Sequence, residues 1–154
     1  MSKNLLIVAH APSENTRALR DAALDGARDA GGSVVTVRCL TPFEADADAV
    51  RSSDAILLGT TENLGYMSGA LKDFFDRIYY PCLEETQGLP YALFVRAGHD
   101  GTGTCRAVES ITTGLRWRAV QEPLVCRGGY DPVFVEQCGD LGAGMAAGLE
   151  AGIF

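Results

Sequence analysis

Apolar residues follow one another along this chain in two rhythms. Short apolar runs, NLLIVA at 4–9, VVTV at 34–37, DAILLG at 54–59 and YALFV at 91–95, read as strands, and the first has the continuous pattern of one buried on both faces. Between these runs the apolar positions recur three and four apart, the period of a helix with one buried stripe. Leu19, Ala22, Ala23, Ala27 and Ala30 predict a helix over 15–30, ended by Gly31-Gly32. Met67, Leu71, Phe74, Phe75 and Ile78 predict a second, with Lys72, Asp73, Asp76 and Arg77 on its wet side. Val108, Ile111 and Leu115 predict a third over 104–117, and residues 43–53 read as a short helix or a polar connection.

The remaining elements carry mixed signals. A fifth strand near 119–126 holds Val120, Leu124, Val125 and Cys126, but Pro123 makes it an edge strand or a bulged one. Leu141, Met145 and Leu149 give the tail, 133–154, a helical spacing, against which stand Gly139, Gly142, Gly144, Gly148 and Gly152. An interior glycine lowers helix stability by roughly 1 kcal/mol relative to alanine. Two readings of these glycines stay open: a helix laid closely on its neighbour, or a small-residue face for a second subunit.

Strands alternating with helices predict parallel β-α-β units with right-handed crossovers, hence a single domain of α/β class built as a three-layer α/β/α sandwich. Ligands in such sheets sit beyond the carboxyl ends of the strands, where the strand order reverses. Three loops therefore carry the candidate chemistry. The first, His10-Ala11-Pro12-Ser13-Glu14-Asn15-Thr16, precedes a helix whose unpaired N–H groups and positive dipole end suit a phosphate, with Ser13 and Thr16 as further donors; the same residues are ordinary helix caps. The second contains Thr60, Thr61, Glu62 and Asn63 as polar edges, Leu64 as an apolar surface and Gly65 as a flexible backbone point, a set suited to a flat heteroaromatic ring. The third, Ala97-Gly98-His99-Asp100-Gly101-Thr102-Gly103, is glycine-rich enough for backbone to approach a ligand closely.

Composition narrows the field. A net charge of -7 argues against a nucleic-acid partner, which demands a basic surface. No apolar run reaches the roughly 18 to 20 residues of a membrane span, so a cytoplasmic location is expected. The five cysteines, Cys39, Cys82, Cys105, Cys126 and Cys138, are odd in number and scattered without a C-x-x-C pair, as reduced and largely buried thiols would be. Cys82 and Cys105 follow segments expected near the ligand. Phosphatase, P-loop and phospho-receiver signatures are absent, and His10 and His99 are the only histidines, so no metal site is expected.

Residues 59–76, GTTENLGYMSGALKDFFD, are similar to the ring-binding segment of NAD(P)H-dependent FMN reductases and of quinone reductases of the tryptophan-repressor-binding-protein type. The family pattern, G-T-P-x-x-x-G-x-M-S-G-x-x-K-x-F-x-D, is matched at Gly59, Thr60, Gly65, Met67, Ser68, Gly69, Lys72, Phe74 and Asp76, and the resemblance extends over residues 4–126. It departs at Thr61 and Leu64 within this segment, and at Ala11 and Glu14 against the first loop of flavodoxins. The resemblance implies a flavodoxin-like fold, a five-stranded parallel sheet of order 2-1-3-4-5 that binds FMN. Ser13, Asn15 and Thr16 would hold the phosphate. Thr60, Thr61, Glu62, Asn63, Leu64 and Gly65, with Ala97, Gly98, His99 and Gly101, would line the ring.

The third loop lacks an aromatic that would cover the ring, which leaves room for NAD(P)H to reduce FMN and for a quinone or similar small-molecule acceptor to follow. His99 either hydrogen-bonds a substrate oxygen or flavin edge, or caps its loop and faces water. Two alternatives remain: a one-electron carrier whose acidic surface meets a redox partner protein, and a module that has lost the cofactor and serves in interactions. The resemblance further implies a homodimer or tetramer.

Overall fold

Residues 2–154 are described by a computed structural model. Four strands run through its centre: β1 (Lys3–Ala9), β2 (Val35–Leu40), β3 (Ala55–Asn63) and β5 (Pro90–Ala97), with the two-residue β4 (Tyr66–Met67) between the last two. Two short pieces, β6 (Arg118–Ala119) and β7 (Leu124–Arg127), both pair with β5 and together form the fifth strand. Residues 120–123, ending in Pro123, interrupt it, as a residue without an N–H would. The main sheet is parallel throughout, and its order β2-β1-β3-β5, closed by the β6/β7 edge, is the expected 2-1-3-4-5.

Each central strand supplies alternate residues to opposite faces, as the period of two requires. Leu5, Ile7 and Leu57 enter one core with α1 (Glu14–Gly31) and α5 (Val133–Glu150). Leu6, Val8, Ile56, Leu58 and Leu93 enter the other with α2 (Ala47–Arg51), α3 (Gly69–Leu83) and α4 (Thr102–Gly114). Their unbroken apolar sequence is thus the signature of a sheet covered on both sides.

Leu71, Phe74, Phe75 and Ile78 form the predicted stripe of α3 and are fully enclosed. Met67 is buried too, but not in the helix: it pairs with Glu62 in a short antiparallel hairpin, and Ser68 starts the helix by accepting the N–H of Leu71 at 3.1 Å. The stretch from Thr60 to Asn63, expected as loop, continues β3; Thr60 and Thr61 still pair with β5 before Glu62 and Asn63 turn into the hairpin. On α5, Gly142 lies against the carbonyl of Ala23, and the carbonyl of Gly139 occupies the place a side chain at Gly26 would take. Gly148 faces the ring of Phe154. These glycines serve close packing inside the chain, the first of the two readings.

All five cysteines are free; Cys82, Cys126 and Cys138 are buried and the other two half-buried. Among the described residues no helix is long and apolar enough to cross a membrane, and no group of three or more His, Cys, Asp or Glu is placed to hold a metal ion.

Candidate functional site

The strand order reverses between β1 and β3, and the loops after β1, β3 and β5 rise side by side from the carboxyl rim at that point. The first two are joined where the N–H of His10 donates to the carbonyl of Gly59 at 3.0 Å, one step beyond the last paired residues of the strands. His10 is partly enclosed, and burial holds its imidazole below the usual basicity because the charged form loses hydration.

The first loop closes as a capping box. Ser13 Oγ accepts the N–H of Thr16 at 3.1 Å and Thr16 Oγ1 accepts the N–H of Ser13 at 2.9 Å. Both hydroxyls predicted as phosphate donors are therefore engaged with each other, and Thr16 is buried. The first-turn N–H groups of Glu14 and Asn15 have no acceptor within the helix, and they and the exposed Asn15 amide are the donors left for an anion. Glu14 is exposed.

The second loop is the β3–β4 hairpin. Leu64 and Gly65 form its two-residue turn, both at positive φ, 55° and 74°, the pattern of a type I′ turn. Leucine in that region carries a steric cost, and the side chain that incurs it projects fully into solvent. Thr60, predicted to line the ring, is enclosed: its hydroxyl accepts the N–H of Ser68 at 3.0 Å and donates to the carbonyl of Thr61 at 2.9 Å. It serves the scaffold of the loop. Thr61 Oγ1 donates to Asn63 Oδ1 at 2.9 Å, while Asn63, Leu64 and Gly65 are exposed at the tip.

The third loop is shorter than its sequence indicated, because β5 runs to Ala97 and α4 begins at Thr102. Ala97 is fully buried in the core shared with α3 and α4, so its side chain is enclosed rather than presented at the rim. Gly98 opens onto empty space, and the imidazole of His99 is exposed without a hydrogen bond of its own among the described residues. Asp100 Oδ1 accepts the N–H of Thr102 at 3.0 Å, which lowers the Asp100 carboxyl below its ordinary range. Glu62 joins this loop to the hairpin: its carboxylate accepts the N–H groups of His99 at 3.1 Å and Gly101 at 2.9 Å.

Several contributors were not foreseen. Arg96 donates to the carbonyls of Ala97 and Cys126 and lies over the rings of Tyr130 and Phe134, 5.9 and 5.2 Å from their centroids, walling the rim beyond β7. Arg127 Nε donates to the carbonyl of Asp100 at 2.8 Å. Gly103 packs directly on the carbonyl of Gly65; a glycine in the first turn of a helix, near a glycine-bearing loop, was the available signal. Cys82 closes the far end of α3, away from the rim, and burial raises its thiol and that of Cys105 above the ordinary value, so neither is an activated thiolate.

The arrangement combines an anion-ready helix start, an exposed apolar tip and a glycine-lined shelf on one rim. This donor set fits a ligand with a phosphate at one end and a flat ring at the other. No family model matches the chain. A flavodoxin from Aquifex aeolicus is 28% identical over 111 residues, 72% of this chain but only 59% of that protein's length. The structure of a flavodoxin from the domain Archaea superposes with a TM-score of 0.79 at 19% identity, covering 93% of this chain and 96% of the other. The flavodoxin, WrbA-like protein from Agrobacterium tumefaciens superposes with a TM-score of 0.71 at 16% identity, covering 95% and 96%. The chain has the flavodoxin-like fold.

Proposed function

We propose that this protein is an FMN-binding redox protein that passes electrons from NAD(P)H to a quinone or similar small acceptor. The observation that carries the reading is the meeting of the three loops at the reversal of the sheet, where the N–H groups of Glu14 and Asn15 suit the phosphate and Leu64, Gly65 and Gly98 offer surface to a ring. FMN, when bound, supplies the hydride- and electron-accepting chemistry, and the chain supplies binding, orientation and charge. Gly98 and His99 leave their side of the shelf low and open, which suits a second flat molecule, and the exposure of His99 supports a role for its imidazole as a donor to an acceptor oxygen.

Flavin uptake is tested by titrating the protein with FMN and following the quenching of flavin fluorescence. Steady-state oxidation of NADH and NADPH with a quinone then tests turnover. A second reading, a one-electron carrier for a basic partner protein, is favoured by the net charge of -7 and by the likeness to flavodoxins. A carrier binds FMN but shows almost no direct turnover. Absence of quenching at any FMN concentration overturns both readings.

A further inference from the structure

The hairpin touches the start of α4 in three places. Thr104 Oγ1 donates to the carbonyl of Tyr66 at 3.0 Å, Gly103 packs on the carbonyl of Gly65, and the Glu62 carboxylate accepts from His99 and Gly101. Only the last contact reaches the short loop that faces a ligand. Gly101 is the N-cap of α4, at φ 72° and with no side chain of its own, so the cap is made from outside it: the neighbouring Asp100 carboxylate accepts the N–H of Thr102. Glu62 brings a negative charge to that positive end from a different element. Without it, Gly98 and Gly101 would be freer to move on either side of Asp100, which the Arg127 side chain and the bond to Thr102 hold.

Resting on the FMN reading, we propose that Glu62 is a positioning residue and not a ligand contact. Its carboxylate sets the third loop before the cofactor arrives. By taking the His99 and Gly101 N–H groups, it leaves the open Gly98 backbone and the His99 imidazole as what this loop presents. The charged carboxylate, held by two N–H groups at a helix start, is a poor group for a neutral ring edge to displace. Preordering of this kind strengthens binding by removing a conformational cost that the ligand would otherwise bear.

The test compares the native chain with Glu62→Ala, Glu62→Gln and Glu150→Gln, the last removing one charge at the exposed end of α5. Amide hydrogen exchange of His99 and Gly101 is read by NMR in the cofactor-free protein, and FMN affinity by fluorescence quenching. In Glu62→Ala both amides should exchange at least about tenfold faster, and FMN should bind roughly 10- to 100-fold more weakly. Glu62→Gln keeps one acceptor oxygen and should recover part of both effects; if the alanine variant does not fold, this variant carries the comparison. Glu150→Gln should match the native chain. Unchanged exchange in the Glu62 variants overturns the proposal, as does equal or tighter FMN binding by them, which would make the carboxylate a competitor of the ring. If the native chain takes up no FMN, the flavin reading fails by itself, and the exchange rates still decide whether Glu62 orders the loop.

Discussion

The two faces of the sheet are closed by different means. On one side large rings fill the space: Phe74 and Phe75 of α3, Tyr91 of β5 and Trp117, just beyond α4, pack at centroid separations of 5.4 to 6.2 Å, and the Trp117 indole donates to Thr86 Oγ1 at 2.8 Å. On the other, α1 and α5 approach until backbone meets backbone at Gly26, Gly139 and Gly142. Volume secures the first face and the absence of side chains secures the second. Tolerance to substitution should therefore differ in kind, since one face fears loss of atoms and the other fears their addition.

The ring-filled face should give the largest effect. Phe74 is fully enclosed, and Phe74→Ala leaves a void where its ring contacts Phe75; a loss of about 3–5 kcal/mol is expected in urea denaturation. On the glycine face, Gly142→Ala adds one methyl against the Ala23 carbonyl and should cost about 1–3 kcal/mol. Gly144 stands two residues away in the same helix but has only the Gln121 side chain nearby, at 3.7 Å, so Gly144→Ala should instead stabilise by roughly 0.5–1 kcal/mol. Equal effects of the two alanines would refute the close approach of α1 and α5.

What the hydrophobic pattern made visible follows the same divide. Leu71, Phe74, Phe75 and Ile78 announce their helix because side-chain burial at a period of 3.6 is written in residue types. The packing of α5 on α1 was only one of two readings, because glycine signals both a weak helix and a close contact. The rim was legible as three loops and not as a mechanism. Thr60 and Thr61 looked like loop because they are polar, yet they are paired strand residues, and Met67 fell on a helical spacing that Ser68 interrupts. The Glu62 bridge could not be read at all: its partners are backbone N–H groups 37 and 39 residues further along, and every residue has one.

A smaller effect should come from the hairpin tip, which belongs to neither face. Leu64→Asn converts the turn into Asn-Gly, the pair most at ease with positive φ at both positions, and should stabilise the chain by about 1 kcal/mol in urea denaturation. If the exposed leucine contacts the ring, the same variant should bind FMN more weakly. Opposite movements of stability and affinity would mark the strain at Leu64 as serving the ligand.

The smallest effect concerns His10, at the seam where the first loop meets β3. Burial lowers its native proton affinity below the ordinary value of 6.5, so as pH falls through that value the unfolded chain takes up the proton first. Stability should therefore decline from pH 7.5 to 5.5, with the loss complete only below the lowered native value. His10→Gln removes the proton uptake and should flatten that slope. The Asp100 carboxyl, lowered by its bond to the Thr102 N–H, acts in a separate window: its contribution is present above its ordinary value of 3.8 and is lost as pH falls further. Urea midpoints at pH 7.5 and 5.5 thus isolate the histidine. An unchanged slope in the variant would mean that the His10 ring is open to water in the native chain, and the seam would then rest on the backbone bond from His10 to the Gly59 carbonyl without an enclosed side chain over it.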